Sequence, residues 1–80
     1  MNTDKAKLLV ETGNITGAVI TAAPLVAGKW VVQLHRVGGD VVPLTARREN
    51  IRQFASIDSA VKVLNELGCK TATVDWSGQQ

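Results

Sequence analysis

Apolar and polar positions follow two different periods along this chain, and the switch between them marks out its elements. Asn14 to Ala23 (NITGAVITAA) is dense in β-branched residues and is stopped by Pro24, which reads as a strand. Gly28 to Val37 (GKWVVQLHRV) sets Trp30, Val32 and Leu34 against Val31, Gln33 and His35. A period of two belongs to a strand with one buried face. Gly38-Gly39 follows at once, and a glycine pair between strands supplies the positive φ of a tight hairpin. Asp40 to Thr45 (DVVPLT) is then the returning strand. Its Pro43 cannot donate to a ladder, so that strand is an edge or is bulged. Arg48 to Phe54 is expected to add a short fourth strand held by Ile51 and Phe54.

From Ser56 the period changes. Ile57, Ala60, Val61, Leu64 and Leu67 recur at spacings of three and four, which predicts an amphipathic helix over 57–67. Ser56 suits the N-cap, Asp58 puts negative charge in the first turn, and Gly68 stands where a left-handed C-cap is wanted. Phe54 is placed to cover the first turn in the manner of a hydrophobic staple. Beyond Gly68, Ala72, Val74 and Trp76 alternate with Thr71, Thr73 and Asp75, a last strand with one buried face; Trp76 is expected in the core, the alternative being that it plugs a partner's groove. Residues 77–80 form a polar tail, and residues 1–12 fit a helix, a strand or an arm equally well.

A helix with an apolar stripe needs a partner, and the sheet is the only large one available. The expectation is a single α+β domain over 1–80, in two layers. Its sheet is mainly antiparallel, with four or five strands in the order strand, strand, strand, short strand, helix, strand. At 80 residues the chain buries about 60–65% of its unfolded surface, so its core is small. A composition 45% apolar and 20% charged is that of a soluble globular domain. The single cysteine, Cys69, allows no internal disulfide and favours a reducing cytoplasm. The uncharged run from Thr12 to Gly28 is interrupted by Gly13, Gly17 and Pro24, short of the ~20 mostly apolar residues of a membrane span.

Candidate chemistry is sparse. His35 and Cys69 are the only histidine and cysteine; a nucleophile–base pair from them lacks an orienting third group, and they cannot supply a four-ligand zinc site. A strand histidine and a small thiol at a helix–strand junction are the simpler readings. The carboxylates Asp4, Glu11, Asp40, Glu49, Asp58, Glu66 and Asp75 are scattered singly, and no glycine-rich phosphate loop is present. Neither an enzyme nor a cofactor is expected.

Charge changes the picture more. Residues 29–52 hold Lys29, Arg36, Arg47, Arg48 and Arg52 against Asp40 and Glu49, a net of +3, whereas the two flanking segments are near neutral. Arginine forks suit phosphate oxygens, so these five residues are the candidate nucleic-acid contacts. Lys29, Arg47 and Arg48 are expected to converge at one end of the sheet. Glu49 within the cluster fits a merely solvated connection just as well. The three aromatic residues, Trp30, Phe54 and Trp76, all have structural places, so no stacking platform for single strands is visible.

Three stretches together resemble small plasmid-encoded partition or maintenance proteins of the ParC-like type, unrelated to the topoisomerase subunit of that name. They are ETGNITGAVITAAPL, the Gly38-Gly39 hairpin, and IRQFASIDSAVKVLNELGCKTATVDW. The likeness covers about residues 8–76. Its most specific part is the step Arg52-x-Phe54-x-Ser56 into the glycine-ended helix, followed by the ATVD strand. The resemblance implies a non-enzymatic accessory role in plasmid or mobile-element maintenance, with DNA or another maintenance protein as partner. The strands followed by a helix also resemble, in architecture alone, the arm-binding domains of tyrosine recombinases, which read DNA with their sheet. The alternative is an adaptor or assembly subunit that works through an open sheet edge, without nucleic acid. Either way a homodimer is expected, since a small core gains from pairing an open edge.

Overall fold

The computed structural model describes residues 1–24, 26–46 and 50–77. Six elements follow in chain order: α1 (Thr3–Glu11), β1 (Ile15–Ala22), β2 (Trp30–Arg36), β3 (Val41–Pro43), α2 (Ile57–Leu67) and β4 (Thr73–Asp75). The sheet order is β3-β2-β1-β4. The β1–β2 and β2–β3 pairs are antiparallel, whereas β1–β4 is parallel. This is the expected small α+β domain with a mainly antiparallel sheet. The parallel pair arises because α2 carries the chain from the β3 side of the sheet to the opposite edge before it re-enters.

The register decides what is buried. Ala18 lies opposite Leu34 and Ile20 opposite Val32, while Leu34 faces Val42 and Ile20 faces Val74. Since successive side chains alternate between faces, these residues share one face, and both helices pack on it. On α2, Ala60, Val63, Leu64 and Leu67 are buried, a set spaced by three, one and three along one helix face. The expected stripe placed Val61 inward; it is 48% exposed, and Val63 takes the inner position. The two valines are both apolar, so periodicity alone did not tell the centre of the stripe from its flank.

Local signals set the ends of α2. The Ser56 hydroxyl accepts from Ser59 N–H while the Ser59 side chain accepts from Ser56 N–H, a reciprocal capping pair. At the other end Gly68 takes φ 96° and its N–H reaches the carbonyls of Leu64 and Asn65. A side chain at that φ would strain the backbone, so the glycine is required. The β2–β3 turn uses Gly38 and Gly39 at φ 96° and 98°, as the pair predicts.

One open alternative is now decided, and one region differs from expectation. Residues 3–11 form a helix capped by the Asn2 side chain on Lys5 N–H, with Ala6 buried against the core. Its apolar residues Leu8, Leu9 and Val10 are consecutive, which hides the helical period, and Leu8 remains exposed. The expected strand over Arg48–Phe54 is, among the described residues, two isolated bridges, Thr45 with Ile51 and Trp30 with Phe54; Arg48 and Glu49 lie outside them. The chain leaves β2 after Leu44 N–H bonds Val32 O, and returns where Phe54 and Trp30 exchange two backbone hydrogen bonds of 2.7 and 2.9 Å.

The two edges of the sheet are finished differently. Val42 and Leu44 turn their backbone toward β2, so Pro43 faces outward and offers no donor there. The Met1 amino group donates to Pro43 O at 3.2 Å and Thr45 N–H donates to Met1 O at 2.7 Å, which closes that edge further. At the opposite edge β4 pairs with β1 on one side, and no described strand pairs with its other side.

The packing of α2 is open to a direct check by urea unfolding. Val63→Ala is expected to cost roughly 1.5–3 kcal/mol, the worth of a buried valine, and Val61→Ala less than about 0.5 kcal/mol, as at an ordinary surface site. Equal costs would place the stripe where periodicity put it. Ser56→Ala is expected to lose about 1 kcal/mol through the cap.

Candidate binding site

The basic residues singled out by charge do not form one surface among the described residues. Lys29 is exposed immediately before β2, and Arg36 ends that strand. Seven residues of strand separate them by about 23 Å. Arg36 is half-buried; its Nη2 donates to Asn14 Oδ1 at 3.4 Å, and its Nε is buried with no partner among the described residues. Arg52 sits with its guanidinium 5.1 Å from the centre of the Phe54 ring, a cation–π contact. It also lines a polar cavity of about 410 Å³ with Asn2, Asp4 and Thr45 beside the start of α1. Arg47 and Arg48 lie outside the described residues. Among the described residues Trp30 pairs with Phe54 and Thr45 with Ile51; the expected approach of Arg47 and Arg48 to Gly28 and Lys29 lies outside them.

His35 and Cys69 are on opposite sides of the sheet. His35 alternates with the core residue Leu34 and stands between Gly17 and Val41 on the face without helices. Cys69 follows α2, is half-buried and packs against the core. They do not meet as nucleophile and base. Burial pushes the Cys69 thiol above its ordinary value of 9.0, opposite to the shift that makes a thiol reactive. Among the described residues no three His, Cys, Asp or Glu side chains gather as a metal-holding group.

A larger concavity than the one at Arg52 lies elsewhere, along the open side of β4. It is a groove of about 610 Å³ between α2 and β4. Its floor is apolar, from Ile20, Val61, Leu64, Ala72 and Val74, and Lys62, Lys70 and Asp58 stand at its rim. Immediately beyond it Trp76 is 67% exposed, which corrects the expectation that Trp76 is core. Asp75 is the cause: its Oδ1 accepts from Ser77 N–H at 2.9 Å, a local turn that ends β4 before Trp76 can pair with β1. The same hydrogen bond holds the fully exposed Asp75 carboxyl below its usual range. Ala72 is likewise exposed and Val74 half-buried, so the expected inner face of this strand lines an open groove instead. Pattern reading missed this site because the period of two shows which residues share a face, not whether anything covers it.

No protein-family model, curated protein or solved structure matches the chain. No described helix is long and apolar enough to cross a membrane.

The raised Cys69 thiol gives a signed pH effect. Above the ordinary thiol value the unfolded chain loses this proton while the folded one retains it, so the folded state binds more protons and stability falls as pH rises. Unfolding midpoints of Cys69→Ala against the parent chain from pH 8 to 10.5 are expected to show this part of the alkaline loss only in the parent. Parallel profiles would contradict it.

Proposed function

We propose that the protein is a non-enzymatic binding module whose working surface is the open β4 edge with its flanking groove. The asymmetry of the two sheet edges carries the reading. Pro43 and Met1 close the β3 edge, while β4 offers backbone with no partner among the described strands, beside an apolar groove and an exposed tryptophan. Such an edge takes up an extended segment by strand addition: backbone hydrogen bonds supply affinity, and alternate side chains enter the groove. In the maintenance role implied by the resemblance, the module would join a maintenance-protein partner or a second copy of itself.

A second reading, contact with DNA phosphate, is favoured by the +3 balance of residues 29–52. Lys29, Arg36, Arg47, Arg48 and Arg52 are the residues concerned. They would position the protein on the backbone rather than read bases.

Each reading has its own experiment. Selection from a phage-displayed library of eight-residue peptides, followed by amide shift mapping, is expected to return binders that move Thr73, Val74, Asp75 and Trp76. The absence of binders, or binders that map elsewhere, overturns the edge reading. For DNA, titration of a labelled 30-base-pair duplex across a salt series is expected to show affinity falling with salt. Its slope should drop by about 1 for each phosphate contact removed by Arg47→Ala and Arg48→Ala; unchanged binding overturns that reading.

A further inference from the structure

We propose that the strand taken up at β4 is β4 of a second copy, antiparallel, with the two Val74 residues facing each other across a two-fold axis. The inference rests on the reading of β4 as the open edge and names its occupant.

The residues around Val74 are self-complementary in this register. An antiparallel two-fold pairing centred on Val74 sets Thr73 opposite Asp75 of the second copy and Ala72 opposite its Trp76. Val74 lies on the helix-bearing side, since it pairs with Ile20. Ala72 lines the same groove as Val74, and pairing with a second copy would extend β4 by one residue past Asp75, which brings Trp76 to that side as well. Trp76 of each copy is therefore directed over Ala72 of the other, into the groove that Val61, Cys69 and Ala72 line. A large exposed side chain meets the smallest residue of the strand, and a groove of about 610 Å³ admits an indole. Lys62 and Lys70 stand at the rim of that groove, and an ammonium group over the indole face would be a favourable pairing.

Charge selects the same arrangement. Asp75 is the only charged residue from Thr71 to Ser77. A parallel in-register pairing would bring the two Asp75 carboxylates together, at a cost in a cross-strand pair. The antiparallel register places each beside a Thr73 hydroxyl instead. The two-fold operator uses the same patch on both copies, and the result is one eight-stranded sheet with all four helices on one face.

Sedimentation equilibrium of the full chain tests association, with circular dichroism confirming the fold of each variant. The parent is expected to be a dimer in the micromolar range. Trp76→Ala is expected to weaken it tenfold or more, as an anchoring tryptophan does. Thr73→Asp, at an exposed position, should weaken it by opposing Asp75 of the second copy, and adding Asp75→Lys should restore it. Register is tested by oxidation of Val74→Cys in a Cys69→Ala background. Facing strand residues lie about 4.5–5.5 Å apart at Cα, within disulfide reach, so a linked dimer is expected there and not with Thr73→Cys. A dimer indifferent to these changes, or linked faster at position 73, overturns the inference. A monomer that still takes library peptides at β4 overturns self-pairing and leaves the edge reading standing; a monomer that takes none overturns both.

Discussion

Everything in this domain hangs on the contact between the inner stripe of α2 and one face of the central β1–β2 pair. Ala60, Val63, Leu64 and Leu67 lie against Ile20, Val32 and Leu34 in one cluster. No disulfide is possible with one cysteine, and the described residues show no metal-holding group. In so small a chain apolar burial is the main favourable term. The caps of α2 matter for the same reason. Ser56 and Gly68 fix where the helix starts and stops, and so which four side chains reach the sheet.

That contact also dictates the topology. To lie across the sheet, α2 must leave from the β3 side and deliver the chain to the far edge, where β4 enters beside β1 in parallel. A strand added last, after a crossover, has a neighbour on one side only. The β3 edge is finished by Pro43 and the Met1 backbone; among the described residues the β4 edge has no such finish, and the helix that brought it there forms the second wall of its groove. The open site is thus a by-product of the route the chain takes to bury its helix.

The basic residues tell a different story about surface charge. Arg36 and Arg52 are each held by a neighbour, Asn14 and the Phe54 ring, and the length of β2 lies between Arg36 and Lys29. Lys29 and Arg36, which lie in the same basic segment, stand apart on the fold because an extended strand moves its ends apart by about 3.3 Å per residue. Charge balance in a segment therefore says less about a patch than the segment's conformation does.

The sequence by itself determined the local elements. The period of two in β1 and β2, the glycine pair at the turn, and the Ser56 and Gly68 signals of α2 each depend on residues close along the chain, whose physics is complete without the rest of the fold. Pro43 announced an edge strand by the same local logic. Only the tertiary structure decided which side of a stripe is covered. Val61 and Val63 are equally apolar, and their burial depends on the angle at which α2 meets the sheet. Trp76 shares its alternation with Val74, yet a hydrogen bond from Ser77 to Asp75 turns the strand away before Trp76 can be covered. Periodicity reports which residues lie together on a face; whether another layer arrives to bury that face depends on chain connectivity, and that is settled by contacts between residues far apart in sequence.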